Sequence, residues 1–256
     1  MRPEGALIAV TARGQVAGYV SNGCVDADIV AHAQQAIGDG KRRDLLYGEG
    51  SPFFDISLPC GGAIAISLVP RPDKTAIGKA LTDLEARRET VLDLGGGLAR
   101  TYHPRLKLRL AGRGAALTSL ARLCEESGFA VEVSSPDIEI KDQLGDIAFT
   151  HLTGAQVGAY AHDKWTAHIL LFHDHDWEPP LLRAALDGPA FFIGAMGSRK
   201  TQAARRETLL GLGVTADQIA RIHGPVGLIP SLRDAQQLAV SILAEIILKA
   251  QNKGLL

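Results

Sequence analysis

Two cysteines stand beside glycines, where a thiol is accessible to a ligand. Cys24 follows Gly23 and directly precedes an amphipathic helix pattern over about residues 27–37. The helix dipole at such a position favours the thiolate, although cysteine is also among the residues most often buried. Cys60 lies in the segment Pro59-Cys60-Gly61-Gly62, where a plain strand turn would explain the glycines but not the cysteine. Both thiols are therefore candidate functional groups.

Four consecutive polar residues, His173-Asp174-His175-Asp176, follow a strand pattern over 167–172 that is apolar except for His168. Two imidazoles and two carboxylates suit a divalent ion, but adjacent side chains face one ion only if the backbone loops around it. A loop at the carboxyl end of a strand also suits ligand contact or helix capping, and Pro179-Pro180 opens a helix just beyond it. Ligand contact through His173, Asp174 and His175, capping and metal binding all stay open.

A glycine turn joins a strand to a helix at Gly112-Arg113-Gly114. Backbone N–H groups and the positive end of the helix dipole favour a phosphate at such a turn. A dinucleotide fingerprint also requires a third small residue, where this chain has Leu117, and an acid at the end of the next strand, where it has Ser134 and Ser135. A phosphate cradle, an NAD-type site and a purely structural turn are the three interpretations.

A second glycine turn lies between the apolar strand pattern of 190–193 and a helix pattern that reaches about Leu212. It contains Gly194, Gly197, Ser198 and Arg199. A hydroxyl and a guanidinium beside free N–H groups form a strong anion-binding combination, and the alternative is a structural turn with a solvated basic face. We predict that this turn binds phosphate more tightly than the turn at Gly112.

The elements that hold these residues indicate an α/β protein of two domains. Leucines alternate over 106–110, a helical stripe follows through Cys124, and a second strand pattern covers 130–134. This βαβ unit and the later apolar strands predict a Rossmann-like doubly wound C-terminal domain over residues 104–256. Hairpin-like and helical patterns predict a smaller α+β N-terminal domain over residues 1–103. A closing helix from Ser231, with a Ser-x-x-Asp capping box, completes the pattern.

Composition excludes several classes of function. The chain has 256 residues, 46% of them hydrophobic, and a formal net charge of −1. Scattered lysines and arginines provide no patch for nucleic acid or an anionic membrane surface, and no apolar run reaches the length of about 18 residues that a membrane span needs. Three cysteines without close pairing suit a reducing cytoplasm. We expect a cytoplasmic protein with neither nucleic acid nor membrane as a partner.

Three stretches of the chain together resemble the XdhC/CoxI family, accessory proteins of xanthine dehydrogenase and related molybdenum hydroxylases. Residues 20–26, Val-Ser-Asn-Gly-Cys-Val-Asp, are similar to the Gly-Gly-Cys-Val-Glu segment of the family. Residues 59–62 resemble its Cys-Gly-Gly segment. Residues 192–199, with 173–176 before them and 241–246 after them, resemble its Rossmann-like half.

The resemblance implies a maturation factor rather than an enzyme. Such a chaperone binds the pyranopterin molybdenum cofactor, as molybdopterin or its dinucleotide form, shelters it during sulfuration and delivers it to a xanthine dehydrogenase-like apoenzyme. A cysteine desulfurase and a second copy of the chain are the implied partners. The resemblance makes Cys24, Cys60 and both glycine turns cofactor-binding candidates, with no metal ligand assigned. An NAD(P)-dependent oxidoreductase on the same fold is the alternative, because fold alone does not define function.

Overall fold

The computed structural model describes residues 4–21, 23, 25–50, 62–95, 97–153, 163–172 and 176–256. The chain divides into two compact units, residues 1–102 and residues 103–256. Each unit has its own hydrophobic core. None of the helices in the described ranges combines the length and the apolar character that a bilayer span requires.

The N-terminal unit is built from three antiparallel strand pairs and two helices. Its elements are β1 (Ile8–Val10), β2 (Val16–Gly18), α1 (Asp26–Asp39), β3 (Arg43–Gly48), β4 (Ala63–Leu68), α2 (Lys74–Glu85), β5 (Thr90–Asp93) and β6 (Ala99–Tyr102). Strand β1 pairs with β2, β3 with β4, and β5 with β6. Helix α1 buries Ile29 against Tyr47 of β3, at the centre of the local core. The predicted α+β character is therefore correct.

The C-terminal unit alternates strands and helices. Its elements are β7 (Lys107–Gly112), α3 (Gly114–Glu126), β8 (Ala130–Ser135), a 3-10 helix (Ile138–Gln143), β9 (Ala148–His151), β10 (Thr166–Leu171), α4 (Glu178–Leu186), β11 (Phe192–Ala195), α5 (Arg199–Gly211), α6 (Ala216–Ile219), β12 (Ile222–His223) and α7 (Ala235–Asn252). The six strands form one sheet in the order β12-β11-β10-β7-β8-β9, and every pairing is parallel.

This strand order is that of a doubly wound Rossmann sheet. From β7 the chain moves outward through β8 to β9, then returns to the other side of β7 as β10 and moves outward again through β11 to β12. The reversal lies between β7 and β10, and ligands of such sheets bind outside the carboxyl ends of the strands at this point. The predicted fold class is confirmed.

Alternating side chains of the sheet enter two separate cores. Leu108 and Leu110 of β7 pack with helices α3 and α7 on one face. Ala111 of the same strand and Leu170 of β10 pack with α4 and α5 on the other. Because both faces of the central strands are buried, β10 is buried at every position from Thr166 to Leu171.

Two details of the sequence analysis were wrong. The edge strands β9 and β12 were not predicted, since no apolar strand pattern marks either of them. The closing helix begins at Ala235 and not near Ser231, because its cap is Asp234, whose carboxylate accepts hydrogen bonds from the N–H groups of Gln236 and Gln237. Ser231 has φ +62, so it lies in a turn before the helix.

Candidate functional site

The turn at the end of β7 brings the backbone to the reversal point of the sheet. Gly112 faces β10 so closely that a Cβ there would lie 2.5 Å from the carbonyl oxygen of Leu171. That oxygen accepts a hydrogen bond from the N–H of Arg113 at 3.2 Å. Gly114, the first residue of α3, has φ +70, which favours glycine, and its Cβ position faces open space. Glycine at 112 is therefore a packing requirement, and glycine at 114 a conformational one.

The first turn of α3 leaves its backbone donors available. Arg113 is the residue that precedes the helix, and no side chain of the described residues caps the N–H groups there. Free donors combine with the positive end of the helix dipole to attract a negatively charged group. Leu117, where the fingerprint has a small residue, is fully buried in the core between α3 and the sheet. The bulky residue thus faces the core, not the turn.

An acidic residue follows β8 that the sequence analysis overlooked. Asp137 lies two residues after the end of β8, and its carboxylate forms an ion pair with the guanidinium of Arg113. The buried hydroxyl of Ser135 accepts a hydrogen bond from the N–H of Asp137 at 3.1 Å, which fixes the backbone of the turn. An acid after the second strand is the group that contacts a ribose in dinucleotide-binding folds. Asp137 lies beyond Ser134 and Ser135, the two positions at the end of β8 where this acid was sought.

The turn after β11 differs from the first one in its capping. Ser198 caps α5, and its Oγ accepts a hydrogen bond from the N–H of Thr201 at 3.2 Å. Gly197 has φ +126, and a Cβ there would lie 2.6 Å from Cγ2 of Thr201. Arg199 is exposed at the first position of the helix. Part of the hydrogen-bonding capacity of Ser198 is thus used within the helix, and the guanidinium of Arg199 is the group of this turn directed to solvent.

Gly194 lies inside β11 and has a packing role. A Cβ at this position would lie 2.7 Å from Cγ2 of Val226 and 2.8 Å from the ring of Phe192. Its contribution to the turn that follows is therefore indirect.

The sheet brings both turns to one edge. Gly112 is in register with Leu171 of β10, and Ala195 of β11 with Leu170. The ends of β7, β10 and β11 therefore lie side by side, with β10 between the two glycine turns. Residues 173–175, which follow β10, lie outside the described residues, so the structure does not test the interpretations of His173, Asp174 and His175.

Of the predicted N-terminal residues, only Gly62 is described; Cys24, Cys60 and Gly61 lie outside the described residues. Gly62 directly precedes β4, and its carbonyl oxygen accepts a hydrogen bond from the N–H of Glu49 at 3.4 Å. Within the described parts of the chain, no group of three or more histidine, cysteine, aspartate and glutamate residues is placed to hold a metal ion.

Asp26 binds the backbone of the loop that precedes α1. Its carboxylate accepts hydrogen bonds from the N–H groups of Val20 at 3.1 Å, Ser21 at 3.2 Å and Gly23 at 2.7 Å. Ser21 in turn accepts one from the N–H of Val25 at 2.9 Å. Burial alone would raise the pKa of Asp26, but the hydrogen bonds from Val20, Gly23 and Ser21 outweigh it and hold the pKa below its ordinary value. The sequence analysis gave this residue no role.

Cys124 is not part of the site. It lies on the buried stripe of α3 beside Leu120 and Ala121 and is 0% exposed. Burial raises the pKa of its thiol to about 12, so the thiol is protonated at neutral pH. This burial agrees with the helical stripe through Cys124 that the sequence predicts.

Strand order, the glycine turn before α3 and the acid after β8 define a Rossmann-type α/β protein with its ligand edge at the carboxyl ends of β7, β10 and β11. A family model described as the XdhC Rossmann domain matches residues 108–246, more than half of the chain, and the model of the XdhC and CoxI family matches residues 1–48. The chain belongs to the XdhC and CoxI family.

Known relatives agree with this assignment. The chain is 34% identical over 264 residues to the molybdenum cofactor insertion chaperone PaoD of Escherichia coli K12, covering 96% of this chain and 78% of the relative. It is 23% identical to the uncharacterized protein YqeB of the same organism, covering 96% of this chain but 41% of that protein. A crystal structure of a xanthine dehydrogenase from Bacillus halodurans superimposes with a TM-score of 0.78 and 19% identity, over 98% of this chain and 88% of that chain. At that identity, the likeness concerns the fold.

Proposed function

We propose that this chain is a chaperone that binds the molybdenum cofactor and supports its insertion into a molybdoenzyme. The observation that carries the proposal is the pair of glycine turns at one edge of a Rossmann sheet. The relative that shares 34% identity over most of both chains is named a molybdenum cofactor insertion chaperone. A pyranopterin cofactor carries phosphate, and backbone N–H groups at helix starts are suited to bind it.

The first turn suits the nucleotide part of a dinucleotide cofactor. Gly114 leaves open space beside uncapped N–H groups of α3, so a pyrophosphate has room and donors there. The carboxylate of Asp137, at the end of the neighbouring strand, accepts hydrogen bonds from ribose hydroxyls in this type of site. These features support the dinucleotide form of the cofactor over molybdopterin alone. They also favour NAD(P) binding as the second candidate, that of an oxidoreductase.

The remaining candidates would hold the rest of the cofactor. Gly197, Ser198 and Arg199 supply a hydroxyl and a guanidinium at the start of α5. We assign Cys24 and the segment 59–62 to the metal end, since the family resemblance rests on them.

The finer proposal names the recipients. We propose a xanthine dehydrogenase-like molybdenum hydroxylase apoenzyme as the acceptor and a cysteine desulfurase as the sulfur donor to the bound cofactor. The chain would act without catalysis of its own, as a homodimer in the cytoplasm. The relative named a molybdenum cofactor insertion chaperone supports a molybdoenzyme as the acceptor.

Delivery is the test of this function. Cofactor-free molybdenum hydroxylase is mixed with a limiting amount of molybdenum cofactor, with this chain or with an equal amount of serum albumin. Faster and more complete activation with this chain is expected, with a further gain when a cysteine desulfurase and cysteine are added before transfer. Equal activation in both mixtures would contradict the chaperone proposal.

Nicotinamide cofactors separate the two candidates. The oxidoreductase alternative predicts saturable binding of NAD or NADP, and the molybdenum cofactor should not compete with this binding. The chaperone proposal predicts that the molybdenum cofactor displaces any bound nicotinamide nucleotide, because both occupy the β7 turn.

A further inference from the structure

A buried ion pair joins α4 and α5, the two helices that begin beside the ligand edge of the sheet. Glu178 is the first residue of α4, and Arg205 lies in α5. Their side chains are 2% and 4% exposed. Nη2 of Arg205 donates to Oε1 of Glu178 at 2.8 Å, and Nε donates to Oε2 at 3.1 Å. This two-pronged contact fixes the guanidinium plane as well as its position.

The same guanidinium holds the end of β11. Nη2 of Arg205 also donates to the carbonyl oxygen of Met196 at 2.7 Å, and Nη1 donates to Oε1 of Gln202. Gln202 in turn donates from Nε2 to the carbonyl oxygen of Ala195 at 3.3 Å. Two consecutive carbonyls, immediately before Gly197, are therefore held by side chains of α5.

Apolar packing between α4 and α5 is incomplete beside this pair. A cavity of about 110 Å³ lies between the helices, lined by Glu178, Pro179, Leu182, Ala204, Arg205, Thr208 and Leu209. The ion pair is one link between the two helices, which also share the apolar cluster that contains Leu182 and Leu209. A buried ion pair is a weak source of stability, because removing two charges from water offsets most of their attraction, and apolar replacements of similar volume are often neutral or stabilising.

The position of the pair indicates its use. Glu178 lies just after the segment 173–176, and Met196 directly precedes the turn Gly197-Ser198-Arg199. We propose that Glu178 and Arg205 are positioning residues, which hold the turn after β11 at a fixed place relative to the start of α4, so that Ser198 and Arg199 are oriented for the phosphate before it binds. The proposal rests on the proposed function for the identity of the ligand, but the order of the turn is measurable without one.

The test uses an apolar pair, Glu178→Leu with Arg205→Met, in the full chain. Because the cavity accommodates both side chains, we expect folding to be retained, with a melting temperature within about 3 °C of the parent or above it. Hydrogen exchange over residues 196–202 should become about tenfold faster, while exchange in β7 and α7 stays unchanged. Molybdenum cofactor affinity should fall about tenfold. Arg205→Lys keeps the buried positive charge but not the forked contacts. It should retain the fold, and hydrogen exchange over residues 196–202 should become faster, though by less than in the apolar pair.

Arg221→Met is the matched control. Arg221 also holds two carbonyls, of Leu186 at 2.8 Å and Gly188 at 2.6 Å, but these lie between α4 and the start of β11. Hydrogen exchange in Arg221→Met should become faster over residues 186–190 and stay at the rate of the parent chain over residues 196–202. Unchanged exchange over 196–202 in both Arg205→Lys and the apolar pair, or an equal increase throughout the unit, would overturn the positioning role. If the parent chain binds no molybdenum cofactor, the proposed function fails while the exchange result still decides the role of the pair.

Discussion

Arg113 and Asp137 form an ion pair across the carboxyl ends of β7 and β8. Nη1 of the guanidinium contacts Oδ1 of the carboxylate, and the two side chains are 36% and 31% exposed. The residue between the two glycines of the first turn is thus tied to the acid that follows β8. The carboxylate is 31% exposed, so part of its surface faces solvent.

Asp137→Asn is expected to discriminate between forms of the cofactor. Loss of a charged acceptor should weaken binding of the dinucleotide form about tenfold, since a hydrogen bond to a charged group contributes about 1.5 to 3 kcal/mol. Binding of molybdopterin without the nucleotide should change less than about twofold, because it lacks the ribose of the nucleotide. Titrations monitored by pterin fluorescence measure both. Asp142→Asn, an exposed acid on the neighbouring 3-10 helix, is the control. An equal loss for both forms would refute ribose recognition.

Arg199→Ala should weaken cofactor binding about tenfold, because the guanidinium at the start of α5 contributes a charge-assisted hydrogen bond to phosphate. Arg206→Ala removes an exposed arginine from the same helix, further from the turn, and should leave the affinity unchanged. Equilibrium binding at two salt concentrations gives the comparison. Identical affinities for the two variants, with the fold intact, would exclude Arg199 from the site.

Asp26→Asn should destabilise the N-terminal unit in a pH-dependent manner. The carboxylate binds three N–H groups and its pKa in the folded state lies below its ordinary value of 3.8. Its contribution is therefore fully present above that value and lost as the pH falls through the lower folded pKa. The variant should lose about 1 kcal/mol of unfolding free energy at pH 7, and the difference should shrink toward pH 3. Urea unfolding at both pH values measures this.

The control for Asp26 is Glu85→Gln, which removes an exposed carboxylate at the end of α2. It should be neutral at both pH values. A difference in unfolding free energy between Asp26→Asn and the parent chain that stays constant from pH 7 to pH 3 would contradict this prediction. It would show that the charge of Asp26 does not strengthen the hydrogen bonds from Val20, Ser21 and Gly23.

The three cysteines should react differently with an alkylating reagent. Cys124 is fully buried, with a thiol pKa of about 12, so it should label only after unfolding. Cys24 and Cys60 should label in the native protein and be protected by the molybdenum cofactor. Mass spectrometry of peptides, with and without cofactor, gives the three rates. Full cofactor loading of the Cys24→Ala, Cys60→Ala double variant would contradict their assignment to the metal end.

The central part of the fold was predictable because its signals are local. Alternating leucines in β7, the glycines around Arg113 and the helical stripe through Cys124 specify one βαβ unit within about 30 residues. The edge strands were missed because they carry no such local signal. β12 has two residues, and β9 exposes three of its four, so neither shows an apolar pattern.

Tertiary pairings explain what the sequence did not predict at the site. Asp137 follows a proline beyond β8, and it is recognised only through its contact with Arg113, which lies 24 positions earlier. Glu178 and Arg205 lie on different helices, 27 positions apart, and read separately as surface charges. Asp26 was overlooked because its carboxylate turns back to the preceding loop, a contact that no sequence pattern indicates. The sequence contains one signal for the acid after β8, because Asp137 is the first acidic residue after Ser135.

Cofactor content of the purified protein tests the central claim most directly. The chain is expressed in a molybdenum-replete host, purified without oxygen, and analysed for molybdenum by mass spectrometry and for pterin by fluorescence after oxidation. Molybdenum and pterin are expected in a 1:1 ratio with each other in the parent chain and in Arg206→Ala, with less of both in Arg199→Ala. Purified protein that contains neither, and that binds none of the isolated cofactor in a titration while its fold is intact, would contradict the central claim.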